Sequence, residues 1–178
     1  MIIIEDIIGE AVRATGERLD RPVHYMYGHL RSILQTLSSY DRTAEFAKQK
    51  YPLIALLCDF VEYVQSDKQY ERWADLHLLI VADSNRDYRE EERLEKVYKP
   101  ILIPIYEAFM DELKNNTNYV SEVTNSIYGY AGEEFIKRYA LSNALNESVK
   151  QQGLKSLFND HLDGIEIRNL RLEFISHC

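Results

Sequence analysis

Cysteine is nearly missing from this 178-residue chain, and the two present, Cys58 and Cys178, form no spacing that a disulfide framework or a structural zinc site would need. That shortage points to a reducing, cytosolic place of synthesis. Proline (4) and glycine (7) are too few for a disordered or fibrous chain. No hydrophobic run is long enough to cross a membrane, because Ile2-Ile3-Ile4 meets Glu5 and Asp6 at once and has no basic start of a signal peptide. Basic residues are outnumbered, giving a formal charge of −8, and no stripe of Lys and Arg alternates with aromatics. This excludes a protein that holds DNA by gripping its phosphates, while leaving one that merely lies beside it.

What is plentiful is tyrosine, at 13 residues against 6 Phe and 1 Trp. Tyrosine joins a large ring to a polar tip and suits partly wet interfaces, or the rims of a strand-rich core. Tyr63, Tyr70, Trp73 and Tyr88 are the candidate interface residues.

Helical spacing of Ile3, Ile4, Ile7, Ile8, Ala11 and Val12 predicts a helix over residues 2–18, ended by Gly16 and Pro22. A short strand, Val23 to Tyr27, closes at Gly28 and leads into a second helix from His29 to about Phe46. After Tyr51-Pro52, Leu53 to Cys58 is continuous apolar sequence that turns to alternation from Asp59. Tyr70 to Ala82 mirrors it across a polar connection. Two strands apolar on both faces form the sheet centre. So short a chain has few elements to cover both faces, which suggests cover by another subunit.

The turn Asp83-Ser84-Asn85-Arg86-Asp87 leads into a helix whose N-cap is read as Asp87 with Glu90 at the third position. Its apolar stripe runs from Leu94 to Leu113, and Pro100 and Pro104 predict a sharp bend or two helices end to end. Asn115 to Asn118 reads as a linker, and Glu133 to Leu145 fits a strand, a helix or both, with helix slightly favoured. Residues 115–155 are set apart as an insertion or docking arm on a single domain. Near the end, Ile165 and Ile167 alternate on one parity, and Leu170, Leu172 and Phe174 on the other. That phase flip predicts a β-bulge at Arg168-Asn169. The fold class is therefore α+β: a mainly antiparallel sheet of four to five strands, packed on one face by two to three helices.

Chemistry is harder to find. Asp83-x-Asn85-x-Asp87 opens like a calcium loop but has Tyr88 where glycine is required and Leu94 where the bidentate glutamate belongs. His24 with His29, and Asp75 with His77, lack a third ligand. Asp160, His161 and Asp163 are dense enough to raise a metal-dependent enzyme as an alternative, or to serve simply as a turn. No nucleophile elbow or glycine-rich phosphate loop is present, so no cofactor and no catalytic residue is assigned.

Several segments carry a resemblance. They are Tyr51-Pro52 before the apolar strand, Glu92-Arg93 opening a helix after a strand ending near Asp83, Lys99-Pro100-Ile101-Leu102-Ile103-Pro104-Ile105-Tyr106, and Phe158 to Leu170. The chain resembles the head–tail joining proteins of tailed bacteriophages, of the tail-terminator or neck-ring type, and the last segment is similar to phage and prophage proteins of Bacteroidetes. The resemblance implies a non-enzymatic virion protein, made in the bacterial cytoplasm and residing at the head–tail junction. It would form a ring, of six subunits, touching neighbouring connector and tail proteins, with DNA passing through without specific binding. Glu90, Glu91, Glu92 and Glu95 are then the candidates to face the channel. A module that binds a host protein through its tyrosines is the other alternative.

Overall fold

The computed structural model describes residues 3–65, 71–115, 122–124, 134–151 and 159–175. The chain is α+β with a mixed sheet and several helices. Helix α1 (Ile4–Arg18) leads through a turn to strand β1 (His24–Gly28), then to α2 (Leu30–Tyr40) and a short turn of helix, α3 (Ala44–Ala47). Strands β2 (Leu53–Leu57), β3 (Glu62–Gln65) and β4 (Glu71–Asp83) follow. A continuous helical stretch then comprises α4 (Glu90–Arg93), a π-helical segment (Leu94–Leu102) and α5 (Ile103–Asn115). The order ends with β5 (Glu122–Thr124), β6 (Glu134–Arg138), α6 (Leu141–Gln151) and β7 (Leu162–Ile175).

Among the described residues the sheet has seven strands, in two rows that share the long strands β4 and β7. One row runs β1-β2-β4-β7-β6 and the other β3-β4-β7-β5. The pair β1–β2 is parallel and every other pair is antiparallel. This corrects the expected four to five strands: the short β2 and β3 share one edge of β4, the short β5 and β6 share one edge of β7, and β1 lies along the whole of β2.

A second correction concerns cover. On one face, Ile54, Leu56, Leu78, Ile80, Ile165 and Ile167 pack under α1, the π-helical segment and α5, around Tyr98 and Phe109. On the other, Leu53, Ala55, Leu57, Leu79 and Val81 pack under Ile33, Leu34 and Leu37 of α2 and Leu141 and Leu145 of α6. Helices lie on both faces, not one. The two-faced apolar strands are buried by the chain itself, so they no longer argue for a second subunit. Within residues 115–155, β6 joins the sheet and α6 joins this second core; the linker at 116–118 lies outside the described residues. Phe135 and Ile136, which favoured helix by spacing, lie in β6.

Gly164 sits where α6 presses on the sheet. A Cβ there would stand 2.9 Å from Leu141 Cδ2 and 3.0 Å from the Ile80 carbonyl, so only glycine allows this approach. The predicted bulge is present. Leu76 pairs with Leu170 but Leu78 with Ile167, leaving Arg168 and Asn169 opposite the single residue His77, with Asn169 at φ 57.

The helix begins two residues later than its sequence suggested. Asn85 Oδ1 accepts from the Asp87 N–H (3.0 Å), which keeps Asp87 in the turn. Arg89 is the N-cap, and its N–H donates to Glu92 Oε2 (3.2 Å). The prolines do not split the helix into two. Pro100 lies within the π-helical segment and Pro104 in the first turn of α5, where a missing N–H costs little when the preceding turn is already wide.

Candidate functional site

Three groups of polar side chains stand out, and the physical question is which are consumed by the fold. The first is buried. Asp163, fully buried, accepts from Arg93 Nη1 (2.7 Å) and the Ala140 N–H (2.8 Å) at Oδ1, and from Ser84 Oγ (2.5 Å) at Oδ2. Arg93 also donates to the carbonyls of Tyr88 (2.9 Å), Asn85 (3.1 Å) and Arg86 (3.3 Å) and to Ser84 Oγ (3.2 Å). One ion pair thus fastens the β4–α4 turn, the start of β7 and the entry to α6. All five Arg93 donors and both Asp163 oxygens are engaged, as a buried pair requires.

The second group lies at the same end of the sheet. Lys50 is 3% exposed and donates to Asp41 (2.5 Å) and Asp160 (2.8 Å), while the Tyr51 hydroxyl donates to Asp160 (2.7 Å). Burial works to lower the Lys50 pKa, but the bonds to Asp160 and Asp41 outweigh it and hold it above its usual value. Burial first, then the bond to Asp160, pushes the Tyr51 hydroxyl well up. Asp83, beside this group, has its carboxyl pKa raised by burial.

Asp160, His161 and Asp163 therefore do not converge. Asp160 serves Lys50 and Tyr51, Asp163 serves Arg93, and His161 is exposed. Among the described residues, no group of three or more His, Cys, Asp and Glu side chains could hold a metal ion. An open polar recess of about 290 Å³ beside these residues is lined by Arg86, Asn143, Asn146, Asn159 and His161 among others.

The third group is on the surface. Beyond the helices α2 and α6, the second face of the β4–β7 pair turns from apolar to polar. Tyr63 stacks on Trp73 (centroids 3.9 Å, planes 13° apart), and the Arg171 guanidinium lies over Trp73 at 4.4 Å. Arg171 grips Asp75 through two hydrogen bonds of 2.9 and 3.1 Å. Next along the same face, Glu166 is bonded by His77 (2.8 Å), Arg138 (2.5 Å) and Arg168 (2.6 Å). The result is a half-exposed platform of aromatic rings and paired charges.

Burial alone would raise the Glu166 pKa; the bonds from Arg138, Arg168 and His77 prevail and hold it below its ordinary 4.5. A depressed carboxyl pKa contributes stability that is present above the unfolded-state value and lost as pH falls through the folded one. Arg138→Ala therefore lowers the melting temperature at pH 7, and the gap to wild type narrows as pH falls below 4.5 toward the depressed folded value. A gap that stays constant in calorimetry across that range would remove the ionic explanation.

Of the sequence-derived interface residues, Tyr63 and Trp73 meet on this platform. Tyr88 lies elsewhere, packed on the first core with Lys96 over its ring at 4.4 Å, and Tyr70 lies outside the described residues. Glu90 and Glu91 are exposed at the helix start. Glu92 is paired with Lys96 (2.8 Å) and Glu95 with Lys99, so half of this acidic group is locally neutralised. The sequence reading missed Arg171, Glu166 and Arg138. The bulge was their signal: once β7 changes phase at Arg168-Asn169, Arg171 falls opposite Asp75. Lys50 left no local signal, because its main partner Asp160 is 110 residues away.

Among the described residues, no helix is long and apolar enough to cross a membrane. No protein-family model matches the chain, and no curated protein matches it.

Proposed function

We propose that this chain is a structural virion protein of the tailed-phage head–tail connector, with a tail-terminator-like fold. It acts as a ring subunit between capsid and tail. The observation that carries this reading is the overhang of the sheet. The paired strands β4 and β7 run on past α2 and α6 and, with β3 beside them, present Tyr63, Trp73, Arg171 and Asp75 as a half-exposed platform. Stacked aromatics and a bidentate Arg–carboxylate pair are the residue types that anchor protein interfaces. By contrast, Asp160 and Asp163, the acids nearest to a chemical role, are spent on holding the fold.

Charge is consistent with a conduit. A net −8 surface, with Glu90 and Glu91 exposed at one helix start, lets DNA pass without adhering, where a basic lumen would retain it. The ring would place its second-face platform against the next layer of the connector. Mixing the purified chain with the portal, neck and tail proteins of the same phage tests this. Binding to at least one of them, weakened about tenfold or more by Trp73→Ala, is the expected result. A chain that binds none of them while capturing a host protein would replace this reading with that of a host-binding module.

A further inference from the structure

The row β1-β2-β4-β7-β6 has two outer edges, and among the described residues no strand pairs with either. Both edge strands are five residues long, His24–Gly28 and Glu134–Arg138. Their directions follow from the pairings. β6 is antiparallel to β7, β7 to β4 and β4 to β2, while β1 is parallel to β2. Hence β1 and β6 run in opposite directions, and β6 of one copy laid beside β1 of another makes an antiparallel pair.

The hydrogen-bonding phase of each edge can also be read. In a ladder the N–H and C=O of alternate residues turn to the same side. His24 N–H donates to Pro52 (2.9 Å), and the Gly28 carbonyl accepts from Cys58 (3.2 Å). The even residues of β1 therefore face β2, and Tyr25 and Tyr27 turn their backbone groups outward. At the other edge, Ser84 N–H donates to His161 (2.8 Å), so in the same register Asp163, Ile165 and Ile167 face β4. Gly164 and Glu166 then face β6, opposite Arg138 and Ile136, which leaves Phe135 and Lys137 turned outward.

We infer that copies of this chain join edge to edge, β1 of one pairing with β6 of the next, with Met26 opposite Ile136. This register uses both edges in full. It sets the outward groups of Tyr27 against those of Phe135, and of Tyr25 against those of Lys137. The side chains agree. Tyr27 and Phe135, 59% and 38% exposed, stand on the α1–α5 side of the sheet and cover each other. Tyr25 and Lys137 meet on that side as ring and cation, and the apolar Met26 and Ile136 meet on the other. The contact is heterologous, so its repetition makes a ring where the rotation between copies closes. The inference deepens the ring reading and rests on it for closure.

Proline on an edge strand removes an outward N–H without disturbing the inner ladder. Tyr27→Pro and Lys137→Pro each disable one edge and leave the opposite one intact. By size exclusion with light scattering, wild type assembles, each variant alone is monomeric with self-association weakened about tenfold or more, and their equimolar mixture stops at a dimer. Circular dichroism verifies that both variants remain folded. As an independent arm, a chain carrying Tyr27→Cys and Phe135→Cys forms an intermolecular 27–135 disulfide on oxidation, identified in peptide digests. Persistence of the wild-type oligomer in Tyr27→Pro, or absence of the 27–135 bridge from oxidised oligomers, overturns the pairing and leaves the ring reading standing. A monomeric wild type overturns the pairing, and the mixture with connector proteins then decides the ring reading by itself.

Discussion

Asp163→Ala lowers the free energy of unfolding by about 3–5 kcal/mol, the range for removing one partner of a buried ion pair. The size follows from what is stranded. Arg93 is 9% exposed, and without Asp163 its charge has only Ser84 Oγ and backbone carbonyls for company. The Ala140 N–H and the Ser84 hydroxyl also lose their acceptor. A surface comparison sharpens the point: Asp75→Ala breaks a well-formed pair with Arg171, yet both partners are 30% exposed or more and the loss is about 1 kcal/mol or less. Urea denaturation of the two variants measures the contrast. A double change, Arg93→Met with Asp163→Leu, recovers much of the deficit if the stranded charge is the cause. Equal losses for Asp163→Ala and Asp75→Ala would show that the buried pair does not fasten the turn, the strand and α6 together.

Tyr98→Ala is the second large effect, a loss of about 3–5 kcal/mol from an emptied core position. Tyr98 is fully buried at the centre of the first core, its ring 4.8 Å from that of Tyr139 and its hydroxyl donating to the Gly164 carbonyl (2.9 Å). It reaches this place from the π-helical segment, whose wider turn carries Val97, Tyr98 and Leu102 onto the sheet. Tyr98→Phe keeps the ring and removes only the hydrogen bond, for about 1 kcal/mol. Thermal unfolding separates the two: a Phe variant as weak as the Ala variant would place the energy in the hydroxyl, not in the packing.

How far the residues alone disclose this fold depends on the range of the interaction that fixes each part. α1, β1 and the helix after Asp83 are visible from spacing because their apolar stripes are local. The bulge at Arg168-Asn169 was visible for the same reason, since a parity change in alternation is a local event with a geometric consequence. Cover of the second face was not. Ile33, Leu34 and Leu37 of α2 form a clear stripe, but a stripe does not say which side of the sheet it will meet. Leu141 and Leu145 of α6 were hidden behind a strand, β6, and a turn in which Ala140 takes φ 49. The cap at Arg89 was misplaced because Asp87 had the right spacing, while the competing bond from its own N–H to Asn85 fixed it in the turn. The candidate site followed the same division. Tyr63 and Trp73 were found as aromatics on facing strands, whereas Arg171 and Glu166 became visible only through the pairing of β4 with β7.

The self-covered fold also changes what association must rest on. With both faces of the central strands buried within one chain, a ring cannot form by sharing a core. The proposed ring would instead form through edges and through the exposed platform. Native mass spectrometry of the purified wild-type chain tests this claim most directly. A folded 20.9 kDa subunit that assembles into one closed species, of six copies, across a wide range of concentration is the predicted result. A monomer at every concentration, or an open series of oligomers without a preferred size, would contradict it.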